Sequence, residues 1–256
     1  MIQGFYSARS ALLRRQKGLN VVANNMANTN TQGFKKNYAS FADALYYETN
    51  KNYPNNINTT YQTGSGTYFT TITRDFTPGA IIETGRKLDL ALDKEGFFAV
   101  QSEGSDELYS RGGSFTFVAG DGSSTKNIVN GLGYYLLDEN GSRVEIPADV
   151  SDITVDLAGN IKYEGMSDEQ KLKVVNFADP TNLEMHSFGI YKETASSGEP
   201  YENQKAKVRQ GFTELSNVDT AYEMVELMKT QRIFSINSRV VQTVDEMASM
   251  ANRLRK

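Results

Sequence analysis

Two segments at opposite ends of this chain, residues 5–28 and 217–255, carry apolar side chains at intervals of seven residues. The row in the first segment is Phe5, Leu12, Leu19 and Met26, with Val22 on the adjacent row. The row in the second segment is Ile233, Val240, Met247 and Leu254, flanked by Phe234, Val241 and Val244. Because this spacing is typical of a coiled-coil seam, it predicts two long amphipathic helices whose apolar rows form an assembly interface. Arg15 is the charged interruption of the first seam.

The two predicted helices differ in length and in the width of their apolar surface. At a rise of 1.5 Å per residue, the first helix would span about 36 Å and the second about 58 Å. The apolar rows of the second helix sweep about 150° of its surface, which is more than a two-stranded seam requires. We therefore expect the C-terminal helix to pack against more than one helix, including helices of neighbouring copies.

Polar residues mark where each helix ends. The candidate caps of the second helix stand just before its apolar rows: Ser216, Asn217 and Asp219. Their side-chain oxygens can accept hydrogen bonds from the first N–H groups of a helix. The first helix runs into three asparagines that we also assign to the assembly interface: Asn24, Asn25 and Asn28. Since asparagine tolerates turn conformations and competes for backbone groups, this helix should end between residues 28 and 33.

The distribution of glycine and proline divides the chain into segments. Of 21 glycines and 5 prolines, 18 glycines and every proline fall between Pro54 and Gly211. From residue 67 onward, short apolar runs of period two alternate with glycine-bearing turns at 93–96, 138–141 and 158–160, which predicts antiparallel hairpins. We therefore expect an α+β, mainly β chain with paired terminal helices and four parts. These are the N-terminal helix and asparagine-rich turn (1–45), an extended linker (46–66), an antiparallel β domain (67–211) and the C-terminal helix (212–256).

Composition excludes several classes of function. A net charge of −4 without a basic stripe argues against a nucleic-acid partner, and the absence of cysteine excludes thiolate metal sites. No apolar run reaches the roughly 18 residues that would span a bilayer, and the first 25 residues lack the apolar core of a cleaved secretory signal. The single histidine, His186, lies in a loop-like context, and the carboxylate pairs and Gly-x-Gly segments lack catalytic or nucleotide-binding spacing. We therefore expect no enzymatic activity, metal or cofactor.

Three groups of motifs resemble the bacterial flagellar rod and hook family. The N-terminal signature is Ala23-Asn24-Asn25-Met26-Ala27-Asn28 followed by Gly33-Phe34-Lys35-Lys36. The C-terminal signature contains Gln210-Gly211, Glu214, Ser216-Asn217-Val218-Asp219 and Glu226-Leu227-Met228. Between them, Leu88-Asp89-Leu90-Ala91-Leu92 and Tyr109-Ser110-Arg111 with Gly113-Ser114-Phe115 resemble the β-domain core of that family. One departure is Gly112, where an aspartate is common.

The resemblance covers nearly the whole chain and implies a structural role. The length and the single inserted β domain are similar to the proximal and distal rod subunits of the basal body. It implies export without a cleaved signal through the flagellar type III apparatus, a location in the extracytoplasmic basal body, and no insertion into the membrane. It also implies polymerisation with copies of itself, and with other rod and hook subunits, into a tube that transmits torque.

Other interpretations remain open at the level of sequence. A hook-type axial protein would share the same terminal signatures. An exported adhesin or carbohydrate-active enzyme would use the β domain for activity and the helices only to form oligomers. A generic trimeric coiled coil would form a closed oligomer instead of an open-ended tube.

Overall fold

The computed structural model describes residues 2–52, 58–64, 66–104, 106–120, 125–150, 152–163, 170–187, 189–203 and 206–254. Side chains are described for these ranges except at 2–5, 47–52 and 58–63. The chain divides into two compact units. One, the helical unit, comprises residues 1–27, 37–73 and 219–256, and the other, the β unit, comprises residues 28–36 and 74–218.

The helical unit contains both long helices and four strands. In chain order these are α1 (Ile2–Ala27), β1 (Asn37–Asp43), β2 (Tyr46–Asn52), β3 (Asn58–Gly64), β4 (Thr67–Arg74) and α2 (Thr220–Leu254). Helices α1 and α2 contact each other, α1 also contacts β1, and β1 pairs with β4. The helices contain 26 and 35 residues, which correspond to about 39 Å and about 52 Å. The observed helices are thus unequal in length, as the sequence indicates.

The segment 46–66, expected to be an extended linker, instead contains a regular β-hairpin. Strands β2 and β3 pair antiparallel over seven residues, from Tyr46 opposite Gly64 to Asn52 opposite Asn58. The segment is rich in threonine and tyrosine, which favour strands, although it lacks apolar alternation. Apolar alternation indicates a strand with one buried face, so this pattern does not reveal a hairpin whose residues are polar. The β unit also begins later than expected, because β4 belongs to the helical unit.

The β unit contains the remaining strands and one short 3₁₀ helix, Pro180–Asn182. The strands, in chain order, are β5 (Ile81–Glu83), β6 (Asp89–Leu92), β7 (Phe97–Gln101), β8 (Glu107–Ser110), β9 (Gly112–Ala119), β10 (Thr125–Asn130), β11 (Tyr135–Leu136), β12 (Glu145–Pro147), β13 (Thr154–Val155), β14 (Asn160–Lys162), β15 (Gln170–Lys171), β16 (Val174–Asn176), β17 (Glu184–Ser187), β18 (Ile190–Lys192), β19 (Tyr201–Glu202), β20 (Val208–Gln210) and β21 (Phe212–Glu214). The chain is therefore α+β and mainly β.

A branched sheet of 12 strands forms the centre of the β unit. Its main path runs β17-β18-β8-β7-β11-β10-β9-β6-β20, with β12 on β10 and with β16 joining β7 to β19. Every pairing given for these strands is antiparallel. Strands β13, β14 and β15 form a separate sheet, and β21 pairs with β5. An antiparallel β region is thus confirmed.

Strand β7 lies at the centre of the packing, because both of its faces are buried. Phe98 and Val100 contribute to a large aliphatic cluster, whereas Phe97 and Ala99 contribute to a second cluster that is rich in aromatic residues. Successive side chains of a strand point to opposite faces, so one short strand can supply two cores. In the second cluster, the rings of Phe97 and Tyr191 meet edge to face at 5.7 Å.

Two of the three predicted hairpin turns are present. Asp138 N–H donates to Ser142 C=O across one turn, and Gly159 N–H donates to Asp156 C=O across another. The turn at 93–96 is different, because β6 pairs with β9 and β20, whereas β7 pairs with β8, β11 and β16. The prediction of a hairpin there is wrong. The turn lets the chain leave one strand and join a different part of the sheet.

Candidate assembly interface

Helix α2 carries apolar side chains on two faces that differ in burial. The inner face holds four predicted interface residues that are half-buried within the single chain: Ile233, Phe234, Val241 and Val244. Glu223 and Thr230, on the same side of the helix, are buried. The other predicted residues, Val240, Met247 and Leu254, are exposed by 44%, 41% and 89%. The heptad rows of the sequence therefore combine residues from two different surfaces.

The exposed residues belong to a continuous band that we call the outer stripe. Its large apolar members are Val225, Ile236, Val240, Met247, Met250 and Leu254, all exposed. At about 100° per residue they fall within an arc of about 80°. Lys229, Arg232 and Thr243 lie in the same arc, and all three are exposed. Apolar residues spaced three and four positions apart along one arc are typical of a helix-packing seam. The outer stripe is thus a second seam of α2, and its large apolar side chains are exposed in the single chain.

Helix α1 distributes its apolar residues in a similar way. The predicted interface residues Leu12, Leu19, Val22 and Met26 are half-buried. Two large apolar side chains outside that row, Tyr6 and Leu13, are exposed by 60% and 52%. Phe5 belongs to α1, but its side chain is outside the described residues. The exposed apolar surface of α1 is therefore formed by Tyr6 and Leu13, and not by the row of residues spaced seven positions apart.

A groove runs along the exposed side of α1 beside β4. Its volume is about 670 Å³, and α1 contributes apolar and cationic side chains to it while Tyr68 and Phe69 of β4 contribute aromatic rings. The ammonium nitrogen of Lys17 lies 5.2 Å from the centre of the Phe69 ring. Such cation–π contacts hold a charged side chain against an apolar wall.

A second cation–π contact accounts for Arg15, the charged residue in the apolar row of α1. Its guanidinium carbon lies 5.3 Å from the centre of the Phe41 ring in β1, and the Phe41 and Phe69 rings meet edge to face at 5.8 Å. Gly18, one turn further along α1, is close to the same ring, because a Cβ there would lie 3.0 Å from Phe41. This part of α1 therefore packs against β1 and β4.

Asn25 connects α1 to two other elements of the helical unit. Its side-chain amide donates to Asn37 C=O at 2.9 Å, and its Oδ1 accepts from Asn37 N–H at 3.0 Å. The amide also donates to Oε2 of Glu223 in α2 at 3.3 Å. Asn25 and Glu223 are each 1% exposed. Asn25 is therefore an internal contact of the chain, which corrects its assignment to an interface between copies.

The other two signature asparagines have different environments. Asn24 is exposed on α1. Asn28 begins the turn after α1, where its backbone C=O accepts from Thr31 N–H at 3.1 Å and its Oδ1 accepts from the Thr31 hydroxyl at 3.2 Å. A turn of this kind ends a helix. The observed end of α1 at Ala27 lies one residue before the predicted range.

The predicted caps of α2 serve three different purposes. Oδ1 of Asp219 accepts from the N–H groups of Ala221 and Tyr222, the second and third residues of the helix, at 2.9 and 3.2 Å. Ser216 Oγ accepts from Val218 N–H before the helix begins. Asn217 is not a cap, because its Oδ1 accepts from Lys36 N–H at 2.7 Å and its amide donates to Asp75 C=O at 3.0 Å.

A buried ionic cluster in the β unit joins residues from all three groups of motifs. Oε1 of Glu214 lies 2.6 Å from Nζ of Lys35, and Oε2 of Glu214 lies 2.7 Å from Nε of Arg111. Lys35 also donates to Thr77 C=O at 2.7 Å, and Arg111 donates to Gly96 C=O at 2.6 Å. All three charged residues are at most 2% exposed. The three residues belong to the sequence motifs, but the motifs did not predict that their side chains meet.

Burial affects the protonation of one member of this cluster, Lys35. Desolvation lowers the pKa of Lys35 below its ordinary value of 10.5, the adjacent Glu214 carboxylate opposes that shift, and Arg111 adds to it. One carboxylate thus compensates two buried cations. Nη2 of Arg111 is buried without a hydrogen-bond partner among the described residues, but both cations are paired with the carboxylate inside the core, so the arrangement has a structural role.

The described residues offer little for catalysis. His186 is exposed on β17. Among the described side chains, no group of three or more His, Cys, Asp or Glu residues is placed to hold a metal ion. Within the same part of the chain, neither helix has an apolar stretch long enough to cross a bilayer. The exposed apolar surfaces of α1 and α2 are therefore the main candidates for a functional site.

Family models match three parts of the chain. A model described as "Flagella basal body rod protein" matches residues 5–35. A model described as "Flagellar hook protein FlgE/F/G D1 domain" matches residues 91–163. A model described as "Flagellar basal body rod FlgEFG protein C-terminal" matches residues 209–254.

Similar proteins span nearly the whole chain. It is 32% identical to the flagellar basal-body rod protein FlgG of Agrobacterium fabrum over 262 residues, which cover 96% of this chain and 97% of the relative. Identity to FlgG of Bacillus subtilis is 31% over 269 residues, with 96% of each chain covered. Identity to the flagellar basal-body rod protein FlgF of Caulobacter vibrioides is 30% over 247 residues, which cover 95% of this chain and 93% of the relative.

Proposed function

This chain belongs to the flagellar basal-body rod protein family, and from this premise we propose that it polymerises through α1 and α2 into a helical tube that transmits torque from the motor to the hook. It is a structural subunit of the flagellar rod and not an enzyme. The tube would place copies of this chain beside other rod and hook components. Passage through the flagellar export apparatus is part of the same proposal.

The observation that carries the proposal is the exposed outer stripe of α2. Complete burial of one large apolar side chain is worth about 1.5–3 kcal/mol, so the six members of the stripe provide a substantial driving force for association. Part of that gain is offset by the lost freedom of the associating subunits. A chain whose longest helix has apolar residues on two faces needs a partner for the second face.

The two faces of α2 would have different roles. The half-buried inner residues would pair with the row of α1 in the manner of a coiled coil within one chain. The outer stripe would contact a neighbouring copy. A contact between two different surfaces is heterologous, and a repeated heterologous contact that does not close produces a helical polymer. The difference of about 13 Å between the lengths of α1 and α2 leaves further surface of α2 for that contact.

The proposal is tested by placing a charge on the outer stripe. Val240→Asp would bury a carboxylate in the contact between copies, so we expect loss of rod assembly while the chain stays folded. Gln242→Asp is the matched control, because Gln242 is exposed on α2 but lies outside the stripe. Assembly is measured by sedimentation and electron microscopy, and folding by circular dichroism.

Leu19→Asp distinguishes packing within one chain from the contact between copies. Leu19 is half-buried within the chain, so a charge there should destabilise the helical unit before any assembly takes place. Assembly of Val240→Asp at the wild-type concentration would refute the proposed role of the stripe.

A further inference from the structure

The groove beside α1 combines an apolar surface with positive charge. Tyr6, Leu13 and Tyr68 are large, exposed and apolar, and they line it together with three cationic side chains: Arg9, Arg14 and Lys17. The described side chains that line the groove include no acidic residue. Among the described side chains, Arg9 and Arg14 take part in no ion pair with a carboxylate of this chain. The groove is therefore suited to an apolar surface that carries a carboxylate at its edge.

The distal half of the outer stripe has these properties. Residues 236–250 present Ile236, Val240, Met247 and Met250, all exposed, and the same edge of the helix carries one carboxylate, Glu246, and one exposed cation, Arg239. At about 100° per residue, Glu246 lies about 40° from Met250 around the helix, whereas Asp245 lies on the opposite side. Glu246 is exposed and takes part in no ion pair among the described residues.

The stripe is long enough to cover the groove. The helical edge of the groove runs from Tyr6 to Asn20, and the segment of the stripe from Ile236 to Met250 has the same length, although the stripe continues to Leu254. Each covers 14 residue steps, or about 21 Å. Leu13 and Tyr68 of the groove and Ile236, Val240, Met247 and Met250 of the stripe are exposed in the single chain.

We infer that the groove between α1 and β4 of one copy binds residues 236–250 of α2 from a second copy, with Glu246 facing the cations of the groove. This inference rests on the proposed polymerisation and identifies the two surfaces that meet. Each copy carries one groove and one stripe, so every bound copy offers a free groove or a free stripe to the next one. Such a contact is heterologous and supports open-ended growth.

Cross-linking tests the contact directly, because the chain contains no cysteine. Leu13 is the midpoint of 6–20 and Thr243 is the midpoint of 236–250, so the two face each other whichever way the helices run. A tagged Leu13→Cys chain and an untagged Thr243→Cys chain are mixed, assembled and treated with a short bismaleimide. We expect a cross-linked pair of one tagged and one untagged chain. The product should be lost when Gln242→Cys replaces Thr243→Cys.

A charge exchange provides the second test. With 13 opposite 243, Glu246 lies on the side of α1 that carries Arg14 if the two helices are parallel, and on the side that carries Arg9 if they are antiparallel. Glu246→Arg should raise the critical concentration for assembly about tenfold, and addition of either Arg14→Glu or Arg9→Glu, according to the direction of the helices, should restore it.

The outcomes separate this inference from the proposed function. Tubes seen by electron microscopy without the 13–243 product would overturn the groove assignment and leave polymerisation intact. Wild-type assembly of Glu246→Arg, or failure of both Arg14→Glu and Arg9→Glu to restore assembly of Glu246→Arg, would also overturn the assignment. Absence of any assembled species from the wild-type chain would overturn both.

Discussion

Nζ of Lys35 lies 2.6 Å from Oε1 of Glu214, although the two residues are 179 positions apart in the chain. The same carboxylate accepts from Nε of Arg111 at 2.7 Å and from Gly79 N–H at 2.8 Å. Backbone C=O of Glu214 also accepts from Gly33 N–H at 2.9 Å. Glu214, in β21, thus connects the loop after α1 to Arg111, the residue between β8 and β9, through one buried side chain.

Glu214→Gln should destabilise the β unit strongly. The substitution removes the negative charge that compensates Lys35 and Arg111, and an uncompensated buried charge costs about 3–5 kcal/mol. The free energy of unfolding in urea measures this loss. Glu139→Gln is the control, because Glu139 forms an exposed ion pair with Lys171, and such pairs contribute about 1 kcal/mol or less. A loss from Glu214→Gln no larger than that of the control would show that the cluster is not essential.

Asn25→Ala should destabilise the helical unit by about 2 kcal/mol. The change removes a buried side chain that makes two hydrogen bonds to the backbone of Asn37 and one to Glu223. Thermal unfolding measured by circular dichroism reports the effect. Asn20→Ala, at an exposed position of α1, should leave stability unchanged or raise it slightly because alanine favours helix. Equal melting temperatures for the two variants would contradict the assigned role of Asn25.

Gly112→Ala should be poorly tolerated. Gly112 has φ = 124°, and a Cβ there would lie 2.7 Å from the backbone oxygen of Leu90. Only glycine adopts this conformation without strain, so we expect a loss of about 2 kcal/mol or more. Gly131→Ala is the control, because a Cβ there would meet no atom within 4 Å. Wild-type stability of Gly112→Ala in a urea titration would refute the constraint.

Tyr191 should make the β unit sensitive to alkaline pH. Burial raises the pKa of its phenol from 10.0 to about 12. A folded pKa above the unfolded value means that the stabilising contribution is complete below about pH 10 and is lost as the pH rises towards about 12. Tyr191→Phe should therefore reduce the fall in unfolding free energy between about pH 10 and about pH 12. Tyr201→Phe, at an exposed position, should leave this fall in unfolding free energy unchanged. An unchanged alkaline slope in Tyr191→Phe would count against this explanation.

Local patterns predicted the helices well. The segments 5–28 and 217–255 correspond to helices at Ile2–Ala27 and Thr220–Leu254, because sevenfold apolar spacing is a property of neighbouring residues on one helix. Several apolar runs also became strands, including β6 and β7. The hairpin of β2 and β3 was missed, because its stability does not depend on a buried apolar face that a pattern could reveal.

The candidate sites were predicted less completely. Heptad spacing identified Ile233 and Val240 alike, but one is half-buried in the chain and the other is exposed. Spacing defines positions around a helix, whereas burial depends on what packs there. Leu13 falls outside the row, so the groove beside α1 was not predicted at all.

Local sequence patterns were sufficient to predict the fold class, the two long helices and the family, because each of these depends on residues close together along the chain. The folded chain was needed to show which side of each helix remains exposed and which distant charges meet. Lys35, Arg111 and Glu214 carry no periodic signal, and charged residues are usually found at the surface. Their burial depends on contacts over more than a hundred positions, which appear only when the β unit folds and each charge gains its partner.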